Sequence, residues 1–177
     1  SSMKGSALSG KIPAVTIPHA LSLIMGDTTK AMQAFHKHMP QDVPRIALVS
    51  TFKDEAEESL DVARSLKEHL RGIRLDTLRE RGNVTPELVK EVRARLDQAG
   101  FSHVEITVSG NMDPDRIRHF VEVAAPVDSF GVGRYIAGAN PNFFVAELQE
   151  IEGRAVARRG RIPGISNNPQ LKPVLWE

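Results

Sequence analysis

Four short apolar runs recur along the chain, and each of the first three is followed by a stretch whose apolar residues fall three and four apart. "RIALVST" (45–51) reads as a strand rich in β-branched and aliphatic residues. Residues 54–70 then bring Ala56, Leu60, Ala63, Leu66 and Leu70 onto one helical face, with Gly72 as the expected stop. "GIRLDT" (72–77) is a second strand. It leads into "VTPELVKEVRARLDQAG", with Thr85 as N-cap, Pro86 at the first helical position, Val89, Val92 and Leu96 as the buried stripe, and Gly100 as the stop. "HVEITVS" (103–109) is a third strand. "DPDRIRHFVEVAA", capped by Asp113, is a third helix, and "VDSFGVG" is a fourth strand.

Strand starts spaced by roughly 25 to 30 residues are what βαβ units require, and such units give parallel strands with right-handed crossovers. Before them, "AVTIPHALSLIM" (14–25) reads as a strand passing into a short helix, and "DTTKAMQAFHKHM" (27–39) as a helix capped by Asp27. After them the character changes: "FFVAELQEIEGRAVARRG" (143–160) reads as two strands joined at Glu152-Gly153. Four or five parallel strands form an open sheet or an arc of a barrel. The expected fold is therefore α/β, a partial (incomplete) βα barrel of parallel strands with an appended C-terminal β-hairpin. The expected division is residues 1–140 for the α/β part and 141–177 for the hairpin and tail.

Composition narrows the classes. With 177 residues there is enough chain for one domain with a core of its own. A net charge of +1 gives no electrostatic reason to expect nucleic acid or a membrane surface. No apolar run is long enough to span a bilayer, and "SSMKGSALSG" lacks the apolar core of a signal peptide. The absence of cysteine excludes disulfides, thiolate metal sites and a cysteine nucleophile, and fits a reducing compartment. No His/Asp/Glu cluster has metal-ligand spacing, so no protein-held metal is expected.

In parallel α/β folds ligands gather at the carboxyl ends of the strands. Those ends are Ser50-Thr51 with Asp54, Asp76-Thr77 with Arg79 and Arg81, Ser109-Gly110-Asn111, and Gly131-Val132-Gly133 followed by Arg134. Two of them offer glycine and serine backbone N–H groups, which suit phosphate. The other two offer hydroxyls, an Asp and arginines, which suit a polyol, a phosphate or a carboxylate. Each has a plainer reading. The glycines also serve a tight turn, and the basic run Arg158-Arg159-Gly160-Arg161 reads as a solvated strand end. Arg74 and Asp76, two apart on one strand, share a side that faces either a ligand-filled interior or solvent. His19 follows a proline near an element boundary, where a lone histidine is ordinarily a hydrogen-bonded surface residue.

Taken together, "TIPHALSLIMGDT" (16–28), "RIALVSTFKDEAEESLDVA" (45–63), "GIRLDTLRERG" (72–82), "VKEVRARLDQAGFSHVEITVSG" (89–110), "VDSFGVGRYIAGA" (127–139) and "GRAVARRGRIPG" (153–164) resemble the C-terminal part of the nicotinate phosphoribosyltransferase family, in order and spacing. The resemblance implies a type II phosphoribosyltransferase fold. It also implies transfer of ribose 5-phosphate from phosphoribosyl pyrophosphate to nicotinate, giving nicotinate mononucleotide for NAD salvage in the cytoplasm. Magnesium would accompany the pyrophosphate, and ATP hydrolysis would couple through a phosphorylated histidine. Carried across, His19 matches that histidine. Arg74 and Asp76 match the pair near ribose and pyrophosphate. Ser50, Thr51 and Thr77 fall at the substrate-facing strand ends. Ser109, Gly110 and Asn111 match one phosphate loop, and Gly131 and Gly133, with Arg134 beside them, match the other.

This chain departs from the family pattern where Ser50 replaces Asp, Asn111 replaces Gly and Arg134 replaces a small residue. The family's N-terminal half is absent, so the resemblance implies completion by that half or by a partner chain, and, since the family associates, a homodimer. The alternatives are a quinolinate phosphoribosyltransferase, which shares the fold, and a truncated inactive relative acting as an interaction module through an open sheet edge.

Overall fold

The computed structural model describes residues 10, 16–141, 143, 147–167 and 169. The short helix α1 (His19–Met25) turns at Gly26 (φ 69°) into α2 (Thr28–His38). Asp27 caps α2 as its sequence position requires, its carboxylate accepting from the Lys30 N–H at 2.8 Å. The alternation then runs β1 (Ile46–Val49), α3 (Glu55–Leu66), β2 (Gly72–Leu75), α4 (Pro86–Gln98), β3 (Glu105–Val108), α5 (Pro114–Glu122) and β4 (Ser129–Phe130), followed by a single turn α6 (Arg134–Ala137). The four strands lie in the order β1-β2-β3-β4, and every neighbouring pair is parallel. This is the expected α/β architecture. The strand reading of residues 14 and 15 lies outside the described residues.

Local chemistry accounts for the boundaries. Thr85 accepts from the Leu88 N–H at 3.2 Å with Pro86 behind it, and Asp113 accepts from Arg116 N–H at 2.9 Å with Pro114 behind it. The stop of α3 differs from expectation. The helix ends at Leu66, Lys67 takes φ 51°, and one 3-10 turn (Lys67–His69) intervenes. Gly72 is instead the first residue of β2. A Cβ there would come within 2.9 Å of the Glu105 carbonyl oxygen, so glycine serves a close strand approach rather than a cap. β4 is also shorter than the seven residues of its apolar run, because pairing stops at Phe130.

Ala47, Val49, Ile73, Leu75, Ile106 and Val108 are fully buried and alternate along the strands onto one face. Helix α3 packs on β1 and lies between α2 and α4. Phe120 of α5 meets Phe130 of β4 edge to face at 5.8 Å between centroids. Each such aliphatic side chain contributes about 1.5–3 kcal/mol on burial. The guanidinium of buried Arg45 closes the amino end of β1 by donating to the backbone carbonyls of Pro40 (2.7 Å), Met39 (2.9 Å), His36 (3.2 Å) and Val43.

The chain divides into two compact units between Ala139 and Asn140. In the second, β5 (Glu150–Ile151) and β6 (Arg154–Ala155) form an antiparallel hairpin, shorter than its sequence pattern and joined at Glu152-Gly153 as that pattern requires. Both turn residues have positive φ, 53° and 77°, which matches the twist of a two-residue hairpin loop. Glu147 receives Arg158 and Arg161, each at 2.7 Å, so two arginines of the basic run are paired while remaining exposed. Residues 144–146 of the first hairpin strand lie outside the described residues. No helix among the described residues is long and apolar enough to cross a membrane.

Candidate functional site

On β2, β3 and β4 the face opposite the apolar one is polar, whereas β1 places Ile46 and Leu48 there. Register sets Arg74 beside Thr107 and Thr107 beside Ser129, and Asp76, Ser109 and Gly131 lie two residues further along the same three chains. Parallel sheets ordinarily carry apolar residues on both faces, so a half-polar one marks a surface meant for something other than packing. Arg74, Asp76, Ser109, Gly110, Asn111, Gly131, Gly133 and Arg134 all line one cleft of about 760 Å³ on this side, together with Thr16, Glu105, Thr107 and Ser129.

Arg74 and Asp76 share the cleft side and engage each other, Arg74 Nη2 donating to Asp76 Oδ2 at 3.2 Å. Arg74 Nη1 donates to Thr16 Oγ1 at 2.6 Å. His19 opens α1 because Pro18 before it is held extended (ψ 156°). Its Nε2 lies 3.9 Å from Asp76 Oδ2, and its Nδ1 lies 2.9 Å from Thr51 Oγ1. His19, Thr51, Asp76 and Arg74, drawn from three separate segments, are thus brought together.

The loop after β3 is held open by its backbone. Gly110 has φ 85° and Asn111 φ 51°, so Asn111 adopts the left-handed conformation a glycine would take there. Arg116 on α5 braces this loop: Nη1 donates to the carbonyls of Gly110 (3.0 Å) and Asn111 (3.3 Å), and Nη2 to that of Val84 (2.8 Å). A Cβ on Gly110 would lie 2.8 Å from Asp76 Oδ1, so glycine lets the carboxylate and the loop touch. Ser109 is turned into the sheet, its N–H and Oγ both donating to the Leu75 carbonyl at 2.9 and 3.1 Å. The Gly131 N–H is likewise held by the Val108 carbonyl at 2.8 Å, and a Cβ there would press on Ser109 Cβ at 3.0 Å. Around Gly133 a Cβ would meet nothing within 4 Å. Arg134 opens α6, and among the described residues no carboxylate lies within ion-pair distance of it.

His19, Ser50, Thr51 and Thr77 are not among the residues that line the cleft. The Ser50 N–H donates to Glu58 Oε2 at 2.5 Å, with φ 88° at Ser50 itself, and its Oγ is buried without a partner. Thr77 is only 4% exposed and donates its hydroxyl to Glu55 Oε1 at 2.7 Å. Arg81 follows it onto the same carboxylate at 3.0 and 3.3 Å. Glu55, Glu58, Arg116, Thr107 and Ser129 were not singled out from sequence. A signal existed for two of them, since Thr107 shares the period-2 face of Glu105 and Ser109, and Ser129 that of Gly131. Among the described residues no group of three or more His, Asp or Glu side chains could hold a metal ion. A smaller hollow of about 510 Å³ lies between residues 82–87 and α5, but its Arg116 is occupied by carbonyls.

With this geometry in view, comparison with known proteins is informative. The model of the family described as "Quinolinate phosphoribosyl transferase, C-terminal domain" matches residues 11–144. The chain belongs to that family, within the type II phosphoribosyltransferases. It is 30% identical over 126 residues to nicotinate phosphoribosyltransferase pncB2 of Mycobacterium tuberculosis, covering 70% of this chain and 26% of that protein. It is 39% identical, with a TM-score of 0.73, to the crystal structure of nicotinate-nucleotide pyrophosphorylase from Pyrococcus furiosus, covering 93% of this chain and 42% of that one. The chain therefore spans less than half the length of either relative.

Proposed function

We propose that this chain is the phosphoribosyl-binding part of a nicotinate phosphoribosyltransferase, acting with a further segment or partner chain that supplies the rest of the site. The observation that carries the reading is the convergence on one polar cleft of the Arg74–Asp76 pair and the two loops at Gly110–Asn111 and Gly131–Arg134. In this reading the loop at Gly133 and Arg134 takes the 5′-phosphate of phosphoribosyl pyrophosphate, and the loop at Gly110 and Asn111 the pyrophosphate side. Arg134, unlike the small residue of the family pattern, brings a guanidinium able to bind phosphate in a fork. Asp76 faces the ribose, where positive charge develops as pyrophosphate leaves, and Arg74 faces the leaving group. The fixed loops hold the reacting carbon in place.

Magnesium enters as part of the substrate, bound to the pyrophosphate. ATP, if coupled, would phosphorylate His19. Nε2 is the ring nitrogen available for this, since Nδ1 lies on Thr51. Homodimer formation across the open sheet edge completes the proposal.

The description of the matching family favours a second reading, quinolinate as the acceptor. A dicarboxylate would also suit a cleft holding two arginines. The test is a calorimetric titration with magnesium phosphoribosyl pyrophosphate, beside a Gly133→Glu variant, followed by product analysis with nicotinate and with quinolinate on the assembly that contains the missing segment. Binding that Gly133→Glu abolishes, and nicotinate mononucleotide formed from nicotinate alone, is the expected result. Carbon dioxide release from quinolinate would move the assignment to the second reading, and no turnover of either by the complete assembly would leave an interaction module.

A further inference from the structure

His19 and Asp76, whose side chains lie 3.9 Å apart, come from segments far apart in sequence, His19 opening α1 and Asp76 following β2, and among the described residues neither side chain bonds α3 directly. Each is instead flanked by a threonine. Thr51 Oγ1 lies 2.9 Å from His19 Nδ1, and Thr77 directly follows Asp76. Both threonines are held by carboxylates of one helix. Glu58 Oε2 accepts from the N–H groups of Ser50 (2.5 Å) and Thr51 (2.8 Å). Glu55 Oε1 accepts from the Thr77 hydroxyl (2.7 Å) and, with Oε2, from the Arg81 guanidinium. Both glutamates are 3% exposed. They stand three residues apart on α3, hence on one helical face.

Three further features argue that these are built positions rather than incidental ones. Buried carboxylates are costly unless fully paired, and here every oxygen has a partner, Glu58 Oε1 receiving the Thr28 hydroxyl. Ser50 adopts φ 88° and leaves its own Oγ without a partner, so the β1 loop accepts strain in order to wrap the Glu58 carboxylate. Lastly, α3 is wedged between α2 and α4, so its face is among the most constrained surfaces of the molecule.

We infer that Glu58 and Glu55 are positioning residues: spaced by one turn of α3, they seat Thr51 and Thr77 and thereby set the His19–Asp76 separation of 3.9 Å. Glu58 acts through Thr51 on the orientation of the His19 ring. Glu55 acts through Thr77 on the Asp76 carboxylate. The consequence for catalysis rests on the function proposed above; the placement of the two side chains does not.

The test uses this chain and needs no turnover. Ring ¹⁵N shifts of His19 and the carboxyl ¹³C shift of Asp76 are recorded by NMR in the wild type, Glu58→Gln, Glu55→Gln and Thr51→Val. Expected is a shift of the His19 ring nitrogens in Glu58→Gln toward their values in Thr51→Val, with His103 and His119 unmoved, and displacement of the Asp76 carboxyl resonance in Glu55→Gln. Should a glutamine variant fail to fold, Glu58→Asp and Glu55→Asp keep the charge but shorten the reach, and the same shifts are expected. His19 signals unchanged in folded Glu58 variants, or unchanged in Thr51→Val, overturn the inference, as does an Asp76 signal indifferent to Glu55. If the complete assembly proves active, the same variants should lower kcat while leaving the KM for phosphoribosyl pyrophosphate nearly unchanged. A uniform rise in KM instead would mean that the glutamates shape the binding loops and would overturn the positioning role. Loss of all activity in the wild-type assembly would defeat the proposed function without touching the NMR result.

Discussion

Two ends of the same sheet handle the same problem in opposite ways. After β1 the backbone N–H groups of Ser50 and Thr51 converge, as in an anion-binding nest, and the anion they hold is the chain's own Glu58. After β3 the loop turns with similar left-handed residues, Gly110 and Asn111, and the space in front of it and of the loop after β4 is a cleft of about 760 Å³. The first loop is closed by an internal carboxylate and serves to hold Thr51. The others face the open cleft, where the proposed function places an external phosphate. A glycine- or serine-rich strand end is therefore no measure of ligand binding until what fills it is known.

The contrast can be broken most severely at its closed end. Glu58→Ala strands several buried donors, and losing a buried charged acceptor of this kind costs roughly 3–5 kcal/mol, to be read as a fall in urea midpoint. Next comes Gly110→Ala. It forces a Cβ into a left-handed position 2.8 Å from Asp76 Oδ1, and is expected to cost about 1–3 kcal/mol while displacing the carboxylate from Arg74. Thermal denaturation gives the first effect and loss of phosphoribosyl pyrophosphate binding the second. Ser50→Gly should act in the opposite direction. It relieves φ 88° and removes a partnerless buried hydroxyl, raising stability by about 1 kcal/mol in the same melts. Smallest of all, Gly133→Ala meets open space and is expected to leave stability within roughly 0.5 kcal/mol. Any weakening of phosphate binding in that variant would then report on the site alone.

Legibility followed the range of the interactions. Helix caps at Asp27, Thr85 and Asp113 were readable because each depends on a bond three residues away. The hairpin turn at Glu152-Gly153 was readable for the same reason. The Gly72 stop was misread: a glycine that ends a helix and one that admits a neighbouring strand look alike until β3 is placed against it. Among the candidate site residues, Arg74 and Asp76 were readable as one-sided from their spacing of two. That Thr77 and Ser50 turn away toward Glu55 and Glu58 was not, because those partners lie 22 and 8 residues distant. Arg116 was invisible as a brace, since its acceptors are backbone carbonyls that carry no side-chain signature.

Periodicity and capping residues by themselves determined the order of strands and helices and the parallel class of the sheet. These rest on bonds between near neighbours and on the burial of apolar stripes, which act wherever the pattern occurs. Only the tertiary structure decided which strand end is filled from within and which is open, and that His19 faces Asp76. Those outcomes depend on bonds between residues far apart in the chain, such as His19 to Thr51 and Thr77 to Glu55, which no local pattern encodes.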